Sequence, residues 1–106
     1  MKKCRITVLK KNFYADIVRD HSNLGPEFGH CPLFEEGQVF ECGRDMPEGF
    51  CGWAWHDLHK FVFAALGGAN FNEITMENFS KENHKIAACC TDGYRPVVFS
   101  IESFDV

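Results

Sequence analysis

The sequence predicts a single α+β domain over residues 1–106, with a small, mostly antiparallel sheet of about four strands and one long amphipathic helix packed on one face. Two observations carry this. Apolar side chains at Cys51, Trp55, Leu58, Val62, Ala65 and Leu66 recur at helical spacing and are followed by Gly67-Gly68, a stop signal. The segments 4–9, 37–42, 85–90 and 97–104 instead alternate, or carry strand-forming residues between turn signals.

The first strand places Cys4, Ile6 and Val8 on one side and Arg5, Thr7 and Leu9 on the other. Lys2, Lys3, Lys10 and Lys11 flank it and read as the solvated ends of an edge strand. Asn12 is the expected cap of a short helix carrying Phe13, Tyr14, Ile17 and Val18 on one side. Gly25, Pro26, Gly29 and Pro32 break regular structure, so Cys31 is expected in an extended loop. A second strand, 37–42, leads through a turn-rich connection to the 51–66 helix. The polar, Asn-rich stretch 69–84 reads as a surface excursion with a turn of helix over 74–79. Asp92-Gly93 signals a hairpin between the last two strands, and Pro96 sits where a missing donor is tolerated.

Composition narrows the function. The 106 residues carry a net charge of −4, without the basic stripe that phosphate neutralisation requires, so nucleic acid is not an expected partner. No apolar run approaches the ~20 residues of a membrane span, and the N-terminus lacks a secretory apolar core. A cytoplasmic protein is expected, with its six cysteines reduced unless they are catalytic or metal-bound. The residues name neither a small-molecule nor a protein partner, and they are compatible with an oligomer.

The chemistry-bearing candidates are sulfur. No two cysteines show the C-x-x-C spacing of a metal knuckle. Yet Cys31 lies in a loop, Cys51 at a helix start and Cys90 at a strand end, three positions that converge at one rim of a small sheet. A thiol in the first turn of a helix lies beside unpaired backbone N–H groups and the positive end of the dipole, where thiolates form. Cys51 is therefore the candidate catalytic residue. As metal ligands, Cys31, Cys51 and Cys90 suit zinc or an iron–sulfur cluster, with Cys89, Asp92 or His30 as a further ligand or support. Strand alternation opposes Cys89 to Cys90, so only one of the pair joins such a site. The competing expectation is that all three thiols are small buried hydrophobes, the commonest state of free cysteine. Trp53 and Arg95 are candidate binding residues, Trp53 because it falls off the apolar stripe and Arg95 because, with Asp92, it can orient an anion. His56 and His59 lie too far around or along the helix to reach Cys51: about 140° for His56 and about 12 Å for His59. A thiol enzyme using Cys51 with His30 or Asp92, and a protein-interaction or small-ligand module presenting Trp53, are the rival functions.

The segments Cys31 to Phe40, Pro47 to Trp55, Gly67-Gly68 and Ala88 to Val97 together resemble a family of small proteins of unknown function from anaerobic bacteria and archaea. The resemblance runs in order over nearly the whole chain and implies no named activity. It implies the same three places for cysteine, Cys31, Cys51 and the Cys89-Cys90 pair, with Cys4 and Cys42 outside its motifs. An anaerobic setting would suit thiolates and oxygen-sensitive clusters. The 69–84 segment is longer here than the resemblance leads one to expect.

Overall fold

The computed structural model describes all residues 1–106. Four strands, β1 (Lys2–Lys11), β2 (Val39–Cys42), β3 (Lys85–Cys89) and β4 (Val97–Asp105), form one antiparallel sheet in the order β2-β1-β4-β3. The helices are α1 (Ala15–His21), a 3-10 turn at Pro26–Phe28, α2 (Gly52–Leu66) and α3 (Phe71–Ile74). The class is α+β, with helices of short to ordinary length and α2, at 15 residues, the longest.

Cross-strand register explains the core. Ile6 lies opposite both Phe40 and Ile101, Val8 opposite Phe99, and Ile86 opposite Ile101, so one sheet face is a continuous apolar surface. Helix α2 covers it with Ala54, Leu58, Val62 and Ala65, all at most 1% exposed. Each fully buried Leu, Ile or Phe there contributes roughly 1.5–3 kcal/mol. The expected stripe is thus rotated: Ala54 rather than Cys51 begins it, and Trp55 and Leu66 sit at its margins. Cys51 is the N-cap, one residue before the helix, because its backbone is extended (φ −75°, ψ 124°).

Other expectations shift for identifiable reasons. The lysine-flanked β1 is an interior strand with partners on both sides, not an edge. Its ladder slips between Val8 and Lys10, leaving Leu9 as an exposed bulge residue, while the Val8 carbonyl accepts from Gly37 N–H at 2.8 Å. Tyr14, not Asn12, precedes α1, since Asn12 is held instead by Pro96. Gly68 (φ +77°) rather than Gly67 supplies the left-handed residue after α2. In the 69–84 excursion the helical turn lies at 71–74. Asn70 caps it by accepting from Asn72 and Glu73 N–H, and Phe71 is fully buried. The asparagines lace the segment together: the Asn72 side chain bonds Ser80 twice and Asn83 once.

Candidate functional site

The chain enters and leaves the sheet at one end of α2, and three segments meet there. The loop after the 3-10 turn brings Cys31, the helix start brings Cys51, and the chain just past β3 brings Cys90. All three line one small, mainly apolar pocket of about 40 Å³, together with Trp53, Asp92 and Arg95. Its walls are aliphatic and aromatic, with Phe34 inside the cluster formed with Phe40, Phe50 and Phe99. A water needs roughly 10–15 Å³ by this kind of measure and drug-sized ligands about 300 Å³ or more, so the pocket suits an ion or a very small molecule.

Each thiol is held differently. Cys31 is buried, whereas Cys51 and Cys90 are half-buried. The Cys90 N–H donates to Val97 O at 3.2 Å, but Val97 N–H donates to the Cys90 sulfur at 3.4 Å instead of to its carbonyl. Sulfur thus replaces a ladder acceptor where the β3–β4 pairing ends. No acidic residue occupies the first turn of α2, and the Cys51 side chain makes no capping bond. The early N–H groups of the helix therefore open beside the thiols. As the side chains stand, no group of three or more His, Cys, Asp or Glu residues is disposed to hold a metal ion.

Asp92 and Arg95 form the polar wall. The Asp92 carboxylate accepts from Tyr94 N–H (2.9 Å), Arg95 N–H (3.1 Å) and Arg95 Nε (3.1 Å), which turns the anticipated tight hairpin into an Asp-centred loop. Burial pushes its pKa up, but these three donors outweigh that and hold it below the usual carboxylate range. The Arg95 guanidinium also stacks on Phe28 at 4.1 Å. Both charges are thus committed to each other and to the loop.

The remaining candidates separate. Cys89 points to the opposite sheet face and is exposed, lining a different groove. His30 adjoins Cys31 in sequence only; its ring lies 5.7 Å from that of Phe13, and it opens onto a polar hollow with Lys11, Glu35 and Glu36. Trp53 is 60% exposed, yet its indole N–H donates to Thr91 Oγ1 at 2.9 Å, and that hydroxyl donates to Asp57 at 3.0 Å. Asp57 therefore turns to Thr91 and forms no pair with Lys60. His59 sits between Trp55 and Phe63 along α2. Sequence reasoning missed the apolar lining residues Leu33, Phe34, Ala54 and Val97 and the bond from Trp53 to Thr91; the adjacency of Leu33 and Phe34 to the Cys31-Pro32 loop was a signal for those two, and nothing local signals the role of Thr91.

No family model matches the chain, and neither a curated protein nor a solved structure matches it.

Proposed function

We propose that this protein is a thiolate metal-binding protein in which Cys31, Cys51 and Cys90 close on one soft transition-metal ion at the N-terminus of α2. The observation that carries the reading is that three thiols from three distant chain segments open onto one small pocket. Each cysteine has a single rotatable side-chain torsion, and a change of rotamer moves its sulfur by ~3 Å; the proposal has such rotations bring the three sulfurs together. Zinc fits better than an iron–sulfur cluster, since about 40 Å³ admits an ion but not a cluster with its own sulfides. The free N–H groups of α2 offset the negative charge of a trithiolate complex. Asp92 is a supporting residue, because Arg95 and two backbone N–H groups already claim its oxygens.

A catalytic role for Cys51 is the weaker reading. A nucleophilic thiol is activated by a base in reach or by a helix N-terminus, and neither expected partner of Cys51 is free to assist it: His30 faces another hollow and Asp92 is engaged. The segments that resemble the small-protein family of anaerobes supply all three sides of the pocket, and kinship with that family is part of this proposal. A net charge of −4 and six unpaired cysteines favour a reducing, cytoplasmic setting without nucleic-acid partners. No helix is long and apolar enough to cross a membrane.

Titration of the reduced protein with Co²⁺ under anaerobic conditions tests the proposal. A 1:1 end point with an intense sulfur-to-cobalt charge-transfer band, displaced by Zn²⁺, is expected. Cys31→Ser, Cys51→Ser and Cys90→Ser should each weaken binding at least tenfold, whereas Cys89→Ser and Cys42→Ser should not. Absence of the band, or equal sensitivity to Cys89→Ser, would overturn it.

A further inference from the structure

Strand β3 is an edge strand with β4 on one side only. The bonds that bound its ladder, Ser103 N–H to His84 O and Cys90 N–H to Val97 O, fix the alternation: even-numbered residues of β3 bond β4, and odd-numbered ones face outward. The chain closes both ends of that outer edge. Lys85 N–H donates to Glu82 O at 3.3 Å, and Thr91 N–H donates to the Asp57 carboxylate at 2.8 Å. Between them the N–H groups of Ala87 and Cys89 and the carbonyls of Lys85, Ala87 and Cys89 have no partner in the protein. They lie along a groove of about 320 Å³, bounded by Phe61 of α2 and by Phe79 of the 69–84 excursion.

Exposed edges are normally blunted by charge, proline or shortness. The outer strand on the far side of the sheet, β2, has four residues and carries Glu41. The middle of β3 has only small, uncharged side chains, Ala87 and Cys89, both exposed. Lys60 also lines the groove, with its ammonium 5.2 Å from the centre of the Phe61 ring and in no ion pair.

We propose that this edge is a docking site for an extended peptide segment of another protein, which adds to the sheet as a fifth strand beside β3. The exposed row of alternating donors and acceptors is matched by another extended backbone. Phe61 and Phe79 would receive alternate apolar side chains of the peptide, and Lys60 selects an acidic residue. A second copy of this chain fits less well, because its own edge is flanked by the same two walls, and strands must approach to about 4.8 Å to pair. The site is independent of the thiol pocket.

The probe is a displayed library of random decapeptides, selected on the reduced full chain. Enriched sequences should alternate apolar and polar residues and include a carboxylate. Their synthetic versions should bind Ala87→Pro at least tenfold more weakly, since that change removes an outward N–H without removing a β3–β4 bond donor. Peptides N-methylated at alternate amides should lose binding to the same degree. Lys60→Glu should turn the preference toward basic residues. In the unmodified chain, amide exchange at Ala87 and Cys89 should slow at least tenfold on peptide addition, a reading that does not depend on any variant folding. No enrichment, binding indifferent to N-methylation, or a concentration-dependent dimer that protects the same two amides would overturn the proposal.

Discussion

Replacing Asp92 by Asn is expected to destabilise the protein at neutral pH by about 0.5–2 kcal/mol and to lose this effect in acid. The side chain of Asp92 is 16% exposed and that of Arg95 23%, so the pair is largely withdrawn from water and is not a screened surface bridge. Asparagine keeps an oxygen for the Tyr94 and Arg95 N–H groups but cannot balance the guanidinium. A hydrogen bond to a charged partner contributes roughly 1.5–3 kcal/mol and a neutral one about 1, so the exchange costs about 0.5–2 kcal/mol. For a domain of this size, that lowers Tm by about 4–8 °C per kcal/mol. The sign with pH follows from the lowered pKa. A carboxylate held below its unfolded-state value of about 3.9 contributes stability that is complete above that value and is lost as pH falls through the folded-state pKa. Urea denaturation of both proteins from pH 7 down to the acid limit of folding measures the gap directly. A gap that is absent at pH 7, or that stays constant below pH ~4, would refute the assignment of Asp92 as an ionised, bonded anchor of the 90–96 loop.

A thiol-specific reagent added to the native, reduced protein should label Cys89 first and Cys51 and Cys90 more slowly, with Cys4, Cys31 and Cys42 released only by denaturant, as their exposures dictate; mass spectrometry of quenched samples gives the order. In the native protein, raising the pH should speed labelling of Cys51 and Cys90 but leave Cys4 unlabelled, because neighbouring Cys42 and then burial push its thiol far above the ordinary value. Phe71→Ala should cost about 3–5 kcal/mol in chemical denaturation, because Phe71 is fully buried; a loss below ~0.5 kcal/mol would mean that the 69–84 segment is the loose surface excursion its composition suggests.

The sheet was legible because period-2 alternation survives in β1, β3 and β4, and a strand's two faces follow from parity alone. The same parity assigned Cys89 and Cys90 to opposite faces. What composition hid was the role of polar residues that satisfy backbone rather than solvent. Asn70, Asn72 and Asn83 look like surface asparagines, but they cap and lace a segment whose one buried residue, Phe71, fastens it to the core. The interior position of β1 was equally hidden, since its terminal lysines pair with β4 and lie beyond only the short β2, so they mark the ends of the strand and not an edge. For the pocket, the sequence indicated which cysteines would lie near the start of α2. It could not indicate that His30 turns toward Phe13 or that Thr91 links Trp53 to Asp57, because both depend on side-chain partners from distant segments.

The vicinal cysteines are where the two halves of this molecule divide. Cys90 lines the thiol pocket and gives its sulfur to Val97 N–H, while Cys89, one residue earlier, lies on the outer edge with its own N–H unpaired. Beside them, the chain from Trp53 through Thr91 to Asp57 spans the same distance, since Trp53 lines the pocket while Thr91 and Asp57 line the groove. Two sites built from one strand end are difficult to separate by deleting elements, but they separate readily by single substitution. Cys90→Ser removes a pocket thiol and leaves the edge amides untouched; Ala87→Pro alters the edge and leaves all three pocket thiols in place. Metal binding and peptide binding therefore stand or fall independently, and each variant serves as the other's folding control.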